Sequence, residues 1–335
     1  MELAFSFIIP VFNRPNEIDE LLQSFSNLNS NENFEIVIIE DGSTLPSKNV
    51  IANFQDQLNI TYLVKENSGP GDSRNYGMQH AKGNYFIILD SDCILPPNYL
   101  NIVKLFLTDN YVDCFGGPDA AHSSFSNLQK AINFSMTAFI TTGGIRGNKT
   151  QINKFQPRSF NMGLSKKAFL KTGGFGNIHP GEDPDLSLRL WKLGYETALI
   201  PEAFVYHKRR ISWSKFYKQV SKFGLVRPIL NVWHPESKKI TYWFPTIFIL
   251  GFVLAIVLAA LNCMQLLLLY GTYFLIVFLV ALFSTRNFVI AIQAICATSI
   301  QFIGYGYSFI KSITILKVSG KKPEEIFPEL FFKNK

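Results

Sequence analysis

The sequence predicts an α/β fold, a mostly parallel sheet flanked by helices, with transmembrane helices after it. Three observations carry that expectation. Short apolar runs of β type alternate with helical periodicities through the first half of the 335-residue chain. Polar or acidic residues follow several of those runs directly. From Trp243 onward, three stretches almost free of charge, Trp243 to Leu261, Cys263 to Phe283 and Phe288 to Ile310, are each long enough to cross a ~30 Å hydrocarbon core as a helix.

Taken in order, Phe5 to Val11 is a first buried strand, closed by Pro10 and the loop Asn13-Arg14-Pro15. Ile18, Leu21, Leu22, Phe25 and Leu28 recur at helical spacing and predict an amphipathic helix over one sheet face. Glu35 to Glu40 is a second strand, with Asp41-Gly42-Ser43 turning away from its carboxyl end, and Asn59 to Val64 a third. Asn67-Ser68-Gly69-Pro70-Gly71 then leads into a helix from about Asp72 to Lys82, which Gly83 terminates. Tyr85 to Leu89 is the next strand, and Leu186 to Trp191 predicts a helix ending near Gly194.

The domain organisation follows from composition. Residues 1–240 read as a charged, Gly- and Pro-punctuated domain with a basic juxtamembrane segment from about 207, residues 241–310 as a membrane region of two or three helices, and residues 311–335 as a basic tail. Between His207 and Lys239, nine Lys or Arg stand against one acid, Glu236, so this segment carries more positive charge than the whole chain's net +7. A basic belt before a hydrophobic span fits the positive-inside rule and anionic headgroups, and its position there argues against nucleic acid as the partner. Leu3 to Val11 is short, follows Glu2 and lacks a small-residue cleavage site, so no secretory signal is expected and the large domain is expected to stay cytosolic. Cys93, Cys114, Cys263 and Cys296 lack metal spacing and suggest no disulfides, and the sequons at Asn59, Asn133 and Asn148 read as chance matches.

Several residues can carry chemistry. Asp90 and Asp92, spaced i and i+2 after a strand, suit either a divalent cation bridging to a diphosphate or a solvated turn. Asp41 suits a turn, or a carboxylate accepting from a nucleobase or ribose. Arg74, in the first turn of its helix, can clamp a diphosphate or pair with a surface carboxylate. In Gly181-Glu182-Asp183-Pro184-Asp185, the last Asp suits a helix cap, whereas Pro184 biases Asp183 toward an extended backbone that projects it from the loop as a general base. His207 suits a third metal ligand or the basic belt.

Six segments resemble the inverting family 2 glycosyltransferases of GT-A (Rossmann-like) fold. They are Phe7-Ile-Ile-Pro-Val-Phe-Asn13, Ile36-Val-Ile-Ile-Glu-Asp-Gly-Ser43, Glu66-Asn-Ser-Gly-Pro-Gly-Asp-Ser-Arg-Asn75, Ile87-Ile-Leu-Asp-Ser-Asp92, Asn161-Met-Gly-Leu-Ser-Lys-Lys-Ala-Phe169 with Gly173-Gly-Phe175, and Gly181-Glu-Asp183, in family order. The resemblance implies that Pro10, Val11 and Asn13 line the nucleotide pocket with Asp41 on the base, and that Arg74 lies near the diphosphate. It implies that Asp90 serves the ribose or the metal, and that Asp92 holds a Mg²⁺ or Mn²⁺ ion. Asp183 would be the base that activates an acceptor hydroxyl, with Glu182 supporting it. The Gln-x-x-Arg-Trp of processive synthases is here Gln219-Val-Ser-Lys222-Phe223, which argues against long-chain processivity.

The expected function is transfer of a single sugar from a nucleotide donor to a hydroxyl acceptor, a lipid-linked glycan of a surface polysaccharide, by a multi-pass protein of the inner membrane. A polyprenyl-phosphate sugar synthase is the alternative enzyme, and a non-catalytic nucleotide-binding membrane protein the alternative class. Gln293, Thr298, Ser299, Gln301 and Ser308 mark the third apolar stretch as interfacial or re-entrant. Two spans would then keep Lys311, Lys317, Lys321 and Lys322 on the cytosolic side.

Overall fold

The structure, a computed structural model, describes every residue except 1, 31, 121–123, 144–154, 209–211 and 333–335. Arg209 and Arg210 of the basic belt and the sequon at Asn148 therefore lie outside the described residues. The elements run β1 (Phe5–Val11), α1 (Pro15–Ser26), β2 (Phe34–Asp41), α2 (Lys48–Ala52), β3 (Ile60–Lys65), α3 (Pro70–His80), β4 (Tyr85–Leu89), β5 (Cys93–Ile94), α4 (Tyr99–Asp109), β6 (Cys114–Gly116) and β7 (Asp119–Ala120). They continue with α5 (Asn127–Thr137), α6 (Phe139–Thr142), β8 (Asn161–Ser165), α7 (Lys166–Thr172), α8 (Glu182–Lys192), β9 (Thr197–Leu199) and β10 (Val205–His207). Last come α9 (Trp213–Trp233), α10 (Phe244–Ala260), α11 (Gln265–Thr285), α12 (Phe288–Ser319) and α13 (Pro323–Ile326). They form two compact units, one of residues 1–122, 149–207 and 331–335, the other of residues 123–148 and 208–330.

The first unit is built on a sheet of order β3-β2-β1-β4-β8-β6-β9. β1, β2, β3 and β4 pair in parallel, and β8 runs antiparallel to both β4 and β6. Alternation along β1 explains why helices cover both faces: Phe7, Ile9 and Val11 pack with Ile18, Leu21, Leu22 and Phe25 of α1 and Tyr99, Leu100 and Val103 of α4. Ile8 faces the other way, into a cluster with Met78 of α3, Phe169 of α7 and Leu186 and Leu190 of α8. Each such side chain, fully buried, stabilises the unit by ~1.5–3 kcal/mol relative to exposure. A small second sheet, β5-β10-β7, lies beyond the end of β4.

Two local expectations are corrected. The helix after the Gly-rich loop starts at Pro70, whose fixed φ suits a first helical position, and it ends at His80 where Ala81 turns extended. Gly83 does not cap it. A methyl group there would meet Ser6 Oγ at 2.4 Å and the Ala4 carbonyl at 2.5 Å, so glycine is present for the close approach to β1.

In the second unit α12, 32 residues long, is the common partner. Ala297 meets Ile132 and Met136 of α5 and Phe216 and Val220 of α9. Ala291 and Ala294 meet Phe134 of α5 and Val277 and Ala281 of α11. Ser312 Oγ donates to the Leu225 carbonyl of α9 at 2.8 Å. Three helices, 240–260, 265–285 and 288–319, are long and apolar enough to cross a membrane. The first two bury 11% of their most apolar window and the third 39%.

Candidate active site

β1 and β4 are neighbours, with β2 beside β1 and β8 beside β4. Strand order therefore reverses at this pair, and the crevice beyond the carboxyl ends at such a switch point is where open α/β sheets bind ligands. Asn13 follows β1, Asp41 ends β2, and Asp90 and Asp92 follow β4, so the acidic and polar loops converge as their strand-end positions predict. Of the remaining pocket candidates, Pro10 and Val11 are buried within β1, with the Val11 side chain in the core.

The second sheet completes the Asp90–Asp92 end. In the antiparallel pair of β5 and β10, His207 lies opposite Cys93. That register brings His207 Nε2 to 3.2 Å from Asp92 Oδ1 and 3.8 Å from Asp90 Oδ2. On the far side, His207 Nδ1 is 3.9 Å from Asp119 Oδ2, and Phe160 stacks on the imidazole at 4.8 Å. Arg14 donates to Asp92 Oδ2. Burial opposes the charged form of Asp92, but His207 and Arg14 outweigh it and hold the carboxyl well below the usual range. His207 is lowered by burial yet pulled up to about 9, chiefly by Asp92, with Asp119 and Asp90 adding.

Asp92 Oδ1 is buried without a hydrogen bond, and one donor atom each of Asp92, Cys93 and His207 lie within 4.8 Å of one another. A buried carboxylate oxygen beside an imidazole nitrogen and a second carboxylate fits a divalent cation, and the nitrogen favours Mn²⁺ over Mg²⁺. Burial pushes the Cys93 thiol well above its usual range, with Asp92 and Asp90 adding, so it stays protonated and contributes little as a ligand.

Arg74 joins this cluster to the acidic turn of α8. Its guanidinium, 3% exposed, donates through Nη2 to Asp90 Oδ1 at 2.7 Å and through Nη1 to Glu182 Oε1 at 3.1 Å. Phe175 lies under it, with the guanidinium carbon 5.3 Å from the ring centroid. His179 Nδ1 is 2.9 Å from the same Glu182 oxygen. Burial raises Glu182, but His179 and Arg74 prevail and bring it down to about 2.

Asp183 does not project from an extended loop. It lies in the first turn of α8, because Gly181 turns the chain at φ 126° and Pro184, so near the helix start, forfeits an N–H that has no intrahelical acceptor. One of its carboxylate oxygens, Oδ1, is buried without a hydrogen bond. Burial and the charge of Glu182 raise its pKa, against the opposing influence of Arg74, Arg158 and Ser159. Asp185 is no cap: its carboxylate takes Arg189 Nε at 2.9 Å, and Arg189 in turn reaches the carbonyls of Thr172 and Gly174.

Asp41 organises the loop that leads into α3. Its carboxylate accepts from the backbone N–H groups of Ser68 at 2.9 Å and Gly69 at 3.0 Å and from Lys65 Nζ at 3.2 Å. Asn13, at φ 54°, accepts through Oδ1 from the backbone of Thr44 and Leu45, tying the β1 loop to the β2 loop. Sequence reasoning missed Arg14, Asp119, His179, Lys65 and Phe160. Only Arg14 carried a local signal, as a cation directly after the segment expected to line the pocket.

Similarity to known proteins agrees with this geometry. A match to Glycosyl transferase family 2 covers residues 6–173, half of the chain. An "Uncharacterized glycosyltransferase" of Rickettsia bellii is 37% identical over 105 residues, 31% of this chain and 15% of that protein. The GalNAc(5)-diNAcBac-PP-undecaprenol beta-1,3-glucosyltransferase of Campylobacter jejuni is 27% identical over 190 residues, 56% of this chain and 59% of that protein. The chain thus spans less than two thirds of these relatives. Among solved structures, a mannosyltransferase from Pyrobaculum calidifontis, in complex with GDP-Man and Mn²⁺, superposes over 93% of this chain and 88% of its own with TM-score 0.58 at 15% identity, a likeness of fold. The sheet is that of the GT-A enzymes, and the chain belongs to glycosyl transferase family 2.

Proposed function

We propose that the protein is a membrane-anchored inverting transferase. It moves one sugar from a nucleotide-sugar donor to a hydroxyl of a lipid-linked glycan in surface polysaccharide synthesis. The observation that carries this reading is the buried, unpartnered Oδ1 of Asp183, one residue from a Glu182 that Arg74 ties to Asp90. The Campylobacter relative, named for an undecaprenol-linked acceptor, supports the acceptor class, and the archaeal neighbour with GDP-Man and Mn²⁺ supports the donor class.

In this mechanism Asp183 Oδ1 accepts the proton of the acceptor hydroxyl, whose oxygen bonds to the anomeric carbon as the bond to the donor diphosphate breaks. Attack opposite the leaving group inverts the configuration. Glu182 stays ionised and holds Arg74 and His179, which keeps the acidic turn in place. Asp92, Asp90 and His207 would hold the Mn²⁺ or Mg²⁺ ion, which neutralises charge on the departing nucleoside diphosphate. Asp41 shapes the 67–69 loop that leads into α3 by taking the backbone N–H groups of Ser68 and Gly69.

For the membrane, the reading is an inner-membrane protein with the sheet unit cytosolic, α10 and α11 spanning and α12 in the interface. What supports it is that α12 packs along α5 and α9, and α9 carries the exposed Lys215, Lys218 and Lys222.

The test is a donor screen on purified protein with and without Mn²⁺, followed by Asp183→Asn on the active donor. General-base catalysis of ~10²–10⁴-fold predicts that kcat falls by about 10² or more. Near-normal turnover of Asp183→Asn would move the assignment to an acceptor that is already an anion, such as a polyprenyl phosphate.

A further inference from the structure

Two residues far from every motif above touch the candidate site. The chain leaves the helical unit after Leu330, and Phe331 and Phe332 belong again to the sheet unit. Phe331 pairs with Ile178 as an isolated antiparallel bridge, and the Phe332 N–H donates to the Asn177 carbonyl at 3.0 Å. The Phe332 ring lies directly on Gly69: a methyl group at that position would come within 2.3 Å of its Cδ2. Gly69, at φ 92°, precedes α3, and its N–H is one of the two that hold Asp41. The same ring stands 6.0 Å from the His179 imidazole, centroid to centroid, and His179 contacts Glu182.

One aromatic side chain therefore bears on two loops. One opens α3 and carries Asp41's partners; the other leads into Glu182 and Asp183. Neither 67–69 nor the stretch just ahead of α8 is helix or named strand, and the two lie far apart in the sequence. We propose that Phe332 is a positioning residue for glycosyl transfer, clamping the 67–69 loop against the 177–182 loop and shutting water out beside the donor diphosphate. The inference rests on the transferase reading above. Water that reaches an open pocket can compete with the acceptor for the sugar, so closing this flank favours transfer over hydrolysis. The absent side chain at Gly69 is what lets the ring approach this closely.

The experiment compares wild type, Phe332→Ala and Phe332→Tyr as full chains in the same detergent or vesicles. The first readout needs no activity: amide hydrogen exchange at residues 67–69 and 177–182. Phe332→Ala should speed exchange in both loops together, and Phe332→Tyr should restore it. The second readout is kinetic. The alanine variant should raise donor KM about tenfold, the change that ~1.4 kcal/mol of lost aromatic contact produces, and raise the ratio of donor hydrolysis to transfer while kcat changes less. Unchanged exchange in both loops overturns the clamp, as does an active variant with wild-type donor KM and hydrolysis ratio. If both loops loosen but wild type transfers sugar from no donor, the clamp stands and the transferase reading falls.

Discussion

Glu182 and Asp183 are adjacent in the first turn of one helix, yet their surroundings pull their proton affinities apart. Glu182 is buried but holds His179 and Arg74, and it titrates at about 2. Asp183 is raised by burial and by the Glu182 charge. Two carboxyls pushed apart in this way suit the acid–base role proposed above. The base must be unprotonated to act, so kcat/KM should rise with pH along a limb displaced upward from that of a free Asp carboxyl. Removing the Glu182 charge removes one of the two influences that raise Asp183, so Glu182→Gln should move that acid limb to lower pH. A pH–rate profile whose limb stays put, or climbs, excludes Asp183 as the titrating base. A second prediction concerns His207. Outer-shell partners of metal ligands typically account for 10–100-fold in affinity, so His207→Ala should weaken Mn²⁺ binding at least about 10-fold if the imidazole is a ligand. Titration of Mn²⁺ in the absence of donor measures this, and an unchanged Kd leaves His207 as an ion-pair partner of Asp92. The Asp90–Asp92 pair and Asp183 were legible in the sequence because each sits in a local pattern, a strand end or a Gly-Glu-Asp turn. Asp119 and His179 were not, because their contacts arise only when β7 and β10 pair and the loop before α8 folds back on Arg74.

Elements whose periodicity reports burial on one or both faces were legible too. β1 was readable to the residue, since a run that is apolar but for Ser6 and buried on both faces needs no partner to identify it. Boundaries set by tertiary approach were not: α3 stops at His80, and Gly83 serves contact with β1. The packing of α9 on α12 was likewise invisible, because it depends on small residues meeting across helices. A Cβ at Gly224 would lie 2.4 Å from the Tyr305 carbonyl oxygen and 2.9 Å from Ser308 Cβ. The first neighbour is backbone and cannot swing away, so Gly224→Ala must separate the helices. Overpacking of this kind costs ~1–3 kcal/mol, and the variant should lower Tm of the detergent-solubilised protein. Gly271→Ala in α11 is the matched control, since nothing lies within 4 Å of its Cβ position. Equal Tm values for the two variants would show that α9 and α12 do not approach as closely as their glycines permit.

At the scale of the whole chain, Phe331 and Phe332 constrain how often the polypeptide crosses the bilayer. The sheet unit includes both its own strands and these two residues, which pair with Ile178 and Asn177. A hydrocarbon core of ~30 Å separates the two membrane faces, and a two-residue bridge cannot form through it. On the membrane reading proposed above, the chain between 208 and 330 would leave and return to one face, an even number of crossings, although three of its helices among the described residues are long and apolar enough to span. On that reading one of the three would not cross. α12 is the one that buries the larger share of its apolar window, 39% against 11%, and it lies along α5 and α9 instead of presenting an apolar face all round. The two-crossing arrangement also keeps Lys311, Lys317, Lys321 and Lys322 on the face of the basic belt, as the charge rule prefers. The expected outcome is that protease added to vesicles removes a tag after residue 335 from the same side on which it digests the sheet unit. Cys263, exposed in the turn between α10 and α11, should react with an impermeant thiol reagent only from the other side. A tag protected wherever the sheet unit is digested would mean three crossings, and would break the Phe331 bridge together with the clamp built on it.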